Sequence, residues 1–166
     1  AKNMGIRATR YELLEYYMVL GGVAFYWSLL DKGKSVAQNI DSLLFSRTGQ
    51  LHNEFNELYD SLFNNPEPYL RVIDTLGIIK VGLPRTKLLE KISMPSGAYA
   101  TRILDDLEEC GFIRKYNAFG KKRNDAIYQL IDNFTLFYFK FMKDNKGDDE
   151  HFWSHSYLSP VRYSWV

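Results

Sequence analysis

The chain has 166 residues, 46% of them hydrophobic and 25% charged, which allows one ordinary domain or two small ones and excludes a disordered protein. No apolar run approaches the roughly 20 residues that span a bilayer, and the single cysteine excludes an internal disulfide, so we expect a cytoplasmic protein without a membrane partner. The net charge is +1, but residues 66–131 carry eleven basic and eight acidic side chains, which points to a polyanionic partner for that segment.

Residues 1–65 are predicted to form a small helical bundle. A first helix starts at the capping box Thr9–Glu12, in which a hydroxyl is followed three residues later by a carboxylate, and it stops at Gly21–Gly22. A short apolar helix then runs from Ala24 to Leu30, and a second capping box, Ser35–Gln38, opens a third helix. The last helix is indicated by apolar side chains at helical spacing: Leu51, Phe55, Leu58, Tyr59 and Leu62.

Residues 66–132 are predicted to begin with three short helices. The first covers Tyr69–Leu76, and the second starts at Pro84, because proline is well suited to the first turn of a helix. The third ends at Gly111 and has one apolar stripe, formed by Ala100, Ile103, Leu104, Leu107 and Cys110. Cys110 lies on that stripe, so we expect a buried structural thiol rather than a nucleophile.

A two-stranded wing is predicted after these helices. The strands are Phe112–Tyr116 and Ala126–Ile131, and the basic residues Lys121, Lys122 and Arg123 lie at the hairpin tip between them. Three helices followed by a hairpin with a basic tip are typical of the winged helix-turn-helix fold. We therefore interpret residues 66–132 as one winged-helix domain.

Residues 133–166 are predicted to be an aromatic helix and tail. The helix, Phe134–Met142, is apolar nearly all round, which predicts burial on more than one side. The tail ends at Trp165–Val166 without a polar terminus, as if another domain followed. The expected fold is therefore mainly α: an N-terminal helical bundle, a winged helix-turn-helix with a two-stranded wing, and a C-terminal aromatic helix.

No catalytic or metal site is expected from the motifs. The run Gly33–Ser35 resembles the end of a Walker A loop, but Ser28 stands where that loop needs an earlier glycine, so we interpret the run as a turn between helices. His151 and His155 are one helical turn apart, yet their neighbours do not form the zinc-protease pattern. No nucleophile and base can be paired among the remaining residues.

The predicted winged helix admits two interpretations. If it binds DNA, the third helix presents Tyr99, Thr101 and Arg102 to the major groove, and the wing cations contact phosphates. If it is a structural or protein-docking domain, the carboxylates on the same helix face solvent or a protein. Those carboxylates would repel the DNA backbone, and they are Asp105, Asp106 and Glu109.

Three runs of sequence are more specific than their periodicity: Arg10–Val23, Glu108–Tyr116 and Tyr128–Phe134. Together they resemble the prokaryotic AAA+/STAND-type ATPases of the archaeal ATPase group. In that family an ATPase core is followed by a helical lid, a winged helix and often a nuclease-like C-terminal domain. The resemblance covers nearly the whole chain and begins at the lid. It implies a non-catalytic fragment without a cofactor of its own, whose partners are the missing ATPase core, with its ATP and Mg²⁺, and the missing C-terminal domain.

The resemblance also implies a nucleotide contact at Gly21, Gly22 and Ala24. In the family, a Gly-Gly-x-Pro stretch in the lid is similar to the turn that contacts adenine in STAND ATPases. In this chain Ala24 stands in place of the proline. Glycines that simply end a helix are the alternative explanation.

The function expected from these observations is that of a lid and winged helix that couple the nucleotide state of an ATPase to DNA or protein binding. One alternative is a free-standing winged-helix transcription regulator, which predicts a symmetric dimer and tight operator binding. Another is a protein-interaction module, which predicts no affinity for DNA.

Overall fold

The computed structural model describes residues 8–117, 126–145 and 148–165. It confirms a mainly helical chain and adds a small antiparallel sheet of three strands, one more than expected. Within the described ranges, no helix is both long enough and apolar enough to cross a membrane. The predicted wing cations Lys121, Lys122 and Arg123 lie outside the described residues.

The chain forms two compact units by internal packing. The terminal unit combines residues 1–55 with residues 137–166, and the central unit comprises residues 56–136. The predicted domain boundaries at 65/66 and 132/133 are a different division of the chain and stay a prediction.

The terminal unit contains α1 and several shorter helices. Helix α1 is Arg10–Leu20, α2 is Ala24–Ser28, and α3 is Val36–Ile40, which continues as a π-helical turn, Asp41–Phe45. Both predicted capping boxes are confirmed, since each cap side chain and its partner three residues later exchange hydrogen bonds. Later in the chain come a second π-helical turn and two short helices: Tyr138–Met142, α9 (Phe152–His155) and α10 (Pro160–Tyr163).

The C-terminal segment of the terminal unit is held in place by hydrogen bonds to a buried carboxylate. Asp41 accepts the backbone N–H groups of Trp153, at 2.8 Å, and of Ser154, at 3.1 Å. Ser154 also donates its hydroxyl to the same carboxylate. Asp41 therefore caps the start of α9 from a distant part of the sequence. Trp153 is fully buried, and its ring packs edge-on against Phe137 and Phe141 at 5.1 Å between ring centroids.

The central unit contains helices and all three strands of the sheet. Helix α4, Glu54–Leu62, enters it at Asn56. The elements that follow, in chain order, are α5 (Glu67–Ile78), β1 (Leu83–Pro84), α6 (Arg85–Lys91), α7 (Ala98–Glu109), β2 (Ile113–Tyr116), β3 (Ile127–Leu130) and α8 (Asn133–Phe137). In the sheet, β3 lies between β1 and β2 and is antiparallel to both.

Strand β1 is the one that the sequence analysis missed. Leu83 pairs with Tyr128 and Pro84 with Ile127. Gly82 precedes the strand with a φ of +79°, and a Cβ there would lie 2.5 Å from the Tyr128 carbonyl oxygen, so only glycine fits. Proline 84 also favours an extended Leu83, a signal from which a strand could have been inferred.

Helical periodicity identified most of the core of the central unit, but not all of it. The spacing of Leu70, Ile73 and Leu76 on α5 predicts that all three face inward. Ile73 and Leu76 are buried, but Leu70 is only half-buried, as is Leu58 on α4. Leu62 is 47% exposed, although it was placed on the apolar stripe of α4. Cys110 is exposed, so the expectation of a buried thiol was wrong. It caps the end of α7, where the chain leaves the helical repeat that had placed it inward.

Candidate functional site

Helix α7 carries the predicted DNA-reading residues, and its buried stripe fixes which way they face. The stripe that enters the core is Ala100, Ile103, Leu104 and Leu107. Tyr99, Thr101 and Arg102 are all exposed, but they do not form one surface. Tyr99 and Arg102 line a cavity beside the helix, while the Thr101 hydroxyl is bonded to a side chain from α6.

A hydrogen bond joins the starts of α6 and α7. Arg85, the first residue of α6, donates from Nη2 to Thr101 Oγ1 at 3.1 Å. The Thr101 hydroxyl donates in turn to the carbonyl oxygen of Gly97, the N-cap residue of α7. An arginine cation is thereby held at the start of α7. The sequence analysis did not select Arg85, although its place directly after Pro84 could have marked it as the start of a helix.

The cavity beside α7 has a volume of about 510 Å³ and lies entirely in the central unit. Phe63 and Tyr69 stack with ring centroids 3.8 Å apart and rings within 8° of parallel. The Tyr69 hydroxyl donates to Asp106 Oδ2 at 2.6 Å, while Arg102 Nε lies 3.8 Å from the same oxygen. One wall of the cavity therefore contains stacked aromatic rings that are hydrogen-bonded to the Asp106 carboxylate on α7.

The electrostatic environment of this cavity is acidic. The pKa of Tyr69 is raised to about 12, first by burial and then by the hydrogen bond to Asp106 and the charge of that carboxylate, whereas Arg102 opposes the shift. Burial also raises the pKa of the Cys110 thiol, and Asp106 and Glu109 add to this shift. Cys110 is therefore exposed but held in its protonated, weakly nucleophilic form.

The described part of the sheet adds two cations near α7. Arg114 on β2 donates from Nε and Nη2 to Gln129 Oε1 on β3, at 2.9 and 2.7 Å. The backbone N–H of Lys115 donates to Glu108 on α7 at 3.3 Å. These contacts hold β2 against β3 and against the exposed side of α7.

Gly21 and Gly22 end helix α1. Gly21 has a φ of +64°, and its N–H donates to the Tyr17 carbonyl oxygen. The Gly21 carbonyl oxygen accepts the indole N–H of Trp27 at 2.8 Å. Gly22 is exposed, and Ala24 is the exposed first residue of α2. This geometry accounts for Gly21 as a helix C-cap, while a nucleotide contact at these positions stays a prediction.

The Gly33–Ser35 run is a turn whose amides bond within the local chain. Gly33 N–H donates to Asp31 Oδ1, Lys34 N–H to the Asp31 carbonyl oxygen, and Ser35 N–H to Gln38 Oε1. A Walker A loop would direct such amides at phosphate. The geometry is that of the turn before α3.

His155 lies beside the Asp149 carboxylate and 5.8 Å from the His151 ring, measured between ring centroids. Its Nδ1 is 3.0 Å from Asp149 Oδ2, and both side chains are exposed to solvent. Across the residues that the structure describes, no group of three or more His, Cys, Asp or Glu side chains is arranged to hold a metal ion.

No protein-family model, curated protein or solved structure matches this chain.

Proposed function

We propose that the central unit is a winged helix-turn-helix domain. In this interpretation α6 and α7 form the helix-turn-helix, and β2 and β3 form the wing. The support is the order of elements, in which α5 is followed by a strand, two helices and two strands, together with a sheet in which β3 lies between β1 and β2.

We further propose that the chain is the lid and winged-helix portion of an ATPase of the archaeal AAA+/STAND group. The three sequence runs that resemble this family support the assignment. On this proposal the chain is not an enzyme, and ATP and Mg²⁺ are held by the ATPase core, which with a C-terminal domain would be its partners. The winged helix would couple the nucleotide state of that core to binding.

DNA is the partner proposed for the winged helix, and the contact between Arg85 and Thr101 is the observation that carries this proposal. It holds a guanidinium beside the start of α7, the end of a recognition helix that enters the major groove in helix-turn-helix proteins. Thr101 and Arg102 would then approach base edges, and Arg85 would contact a phosphate. Lys121, Lys122 and Arg123 would add sequence-independent phosphate contacts from the wing.

Fluorescence anisotropy with a labelled random duplex DNA tests this proposal. Arg85→Ala should weaken binding alike on any sequence and flatten the slope of log K against log salt by about 0.9. Replacing all three predicted wing cations by Ala should flatten it by up to about 2.7. Lys140→Ala is the matched control, because it removes one exposed cation from the terminal unit.

Two results would contradict DNA binding. One is the absence of a change in anisotropy at low salt, where electrostatic binding is strongest. The other is an equal effect of Arg85→Ala and Lys140→Ala, which would show only a response to net charge. Either result would favour the protein-interaction module over the DNA-binding domain.

A further inference from the structure

The cavity beside α7 has the size and the walls of a binding site. Its volume of about 510 Å³ falls within the roughly 300–1,000 Å³ of typical ligand pockets. Tyr69 forms part of one wall and is held by stacking on Phe63 and by its hydrogen bond to Asp106. Tyr99 also lines the cavity, and this residue is 58% exposed. The space is larger than one side chain, so a short stretch of peptide fits it better than an isolated group.

The charges that line this cavity favour a cation. Asp106 and Glu109 provide two carboxylates, while Arg102 is the cation on the lining. Arg102 is 79% exposed and reaches Asp106 only at 3.8 Å, so it is free to move toward solvent. Burial is the larger cause of the raised pKa values of Tyr69 and Cys110, and the charge of Asp106 adds to both.

From this geometry we infer that the cavity beside α7 binds a basic peptide segment of another protein or domain. An Arg or Lys side chain of that segment would lie near the rings of Tyr69 and Tyr99, where a cation is attracted to the aromatic face. Its charge would be neutralised by Asp106 and Glu109. The apolar part of the segment would pack on Leu62, which is 47% exposed at the rim.

This binding site shares Tyr99 and Arg102, two of the predicted DNA-reading residues, with the proposed DNA contact. The DNA contact depends on Arg85 and Thr101, whereas the peptide depends on the side of the helix that carries Asp106 and Glu109. Those carboxylates repel phosphate and attract a basic segment. Arg85→Ala therefore tests the DNA contact without changing the cavity lining, and substitution of Asp106 and Glu109 tests the peptide site without changing Arg85 or Thr101.

The test uses the whole chain and two labelled peptides that share one sequence of Gly, Ser and Leu with two variable positions. The variable residues are Arg in one peptide and Gln in the other. The double variant Asp106→Asn with Glu109→Gln should weaken binding of the Arg peptide by roughly tenfold, the loss expected for two solvent-exposed charge pairs. The matched control is Asp105→Asn with Glu108→Gln, which removes the same charge from the same helix outside the cavity lining.

We expect the chain to bind the Arg peptide, and to bind the Gln peptide clearly more weakly. The control variant should bind the Arg peptide as the original chain does. Urea unfolding of both double variants verifies that each is folded. Equal binding of the two peptides, equal loss in both double variants, or no binding of the Arg peptide at low salt would overturn it. Spermidine, a polycation that is not a peptide, is used as a competitor. If it competes at the concentration at which the unlabelled Arg peptide does, a peptide is not the occupant.

Discussion

Arg162 and Glu15 form a buried ion pair although 147 residues separate them in the chain, with Arg162 Nη2 2.9 Å from Glu15 Oε1. Their side chains retain 11% and 8% exposure. The same glutamate oxygen accepts the indole N–H of Trp153 at 2.8 Å, and the guanidinium lies over the Trp153 ring. Arg162 also donates to the Trp153 carbonyl oxygen. One carboxylate on α1 therefore fixes both α9 and α10.

Removing one partner of this pair should be costly. Arg162→Ala leaves the Glu15 carboxylate buried and without its cation, so we expect a loss of about 3–5 kcal/mol in the free energy of unfolding. Glu67→Gln is the control, since the Glu67 pair with Arg71 is largely exposed and should contribute about 1 kcal/mol or less. Urea unfolding measures both. Similar losses in the two variants would mean that the buried pair adds nothing specific to stability.

The packing of α7 predicts a contrast between two of its residues. Leu104 is 1% exposed, so Leu104→Ala opens a cavity in the core and should cost roughly 2–5 kcal/mol. Arg102 is 79% exposed, so Arg102→Ala should be nearly neutral. Denaturant melts of the two variants provide the comparison. Equal destabilisation would show that α7 is rotated relative to the structure.

Asp132 caps helix α8 at the expense of burying its charge. Its carboxylate accepts the Thr135 N–H at 2.8 Å, while burial raises its pKa above the ordinary value of 3.8. Asp132→Ala removes the cap and should cost about 1 kcal/mol, but Asp132→Asn keeps an acceptor without the charge and should be neutral or stabilising at pH 7.

The sign of this pH dependence follows from the raised pKa. Because the folded chain binds the Asp132 proton more tightly than the unfolded chain does, protonation stabilises the fold, and that contribution is lost as the pH rises through the folded pKa. The original chain should therefore lose stability relative to Asp132→Asn over the pH range above 3.8. Urea melts at a series of pH values measure the difference. A constant difference would rule out titration of Asp132 in that range.

The Tyr69 phenol should ionise late in an alkaline titration. Its pKa is raised to about 12 from 10.0, so its contribution to stability is present below pH 10 and is lost as the pH rises through about 12. The difference in phenolate absorbance between the original chain and Tyr69→Phe isolates this group. Asp106→Asn should lower the pKa, because it removes a charge that opposes the phenolate. An unchanged titration in Asp106→Asn would show that burial alone causes the shift.

Local sequence determined the elements whose stability is local. The capping boxes at Thr9 and Ser35 join residues three apart, so the sequence itself contains both partners. The apolar spacing of α7 likewise placed Leu104 inward, because the helical repeat fixes which side chains share a face. The same repeat put Tyr99, Thr101 and Arg102 on the exposed side, and their role in DNA binding stays a prediction.

Contacts between distant segments were decided only by the tertiary structure. Strand β1 has two residues and exists through its pairing with β3, and Arg85 matters because folding brings it to Thr101. The acidic cavity requires Tyr69 and Asp106, which are 37 residues apart, to meet. Periodicity reports which face of one element is apolar, but not which element packs on it. That choice depends on side-chain shape and charge across the whole unit.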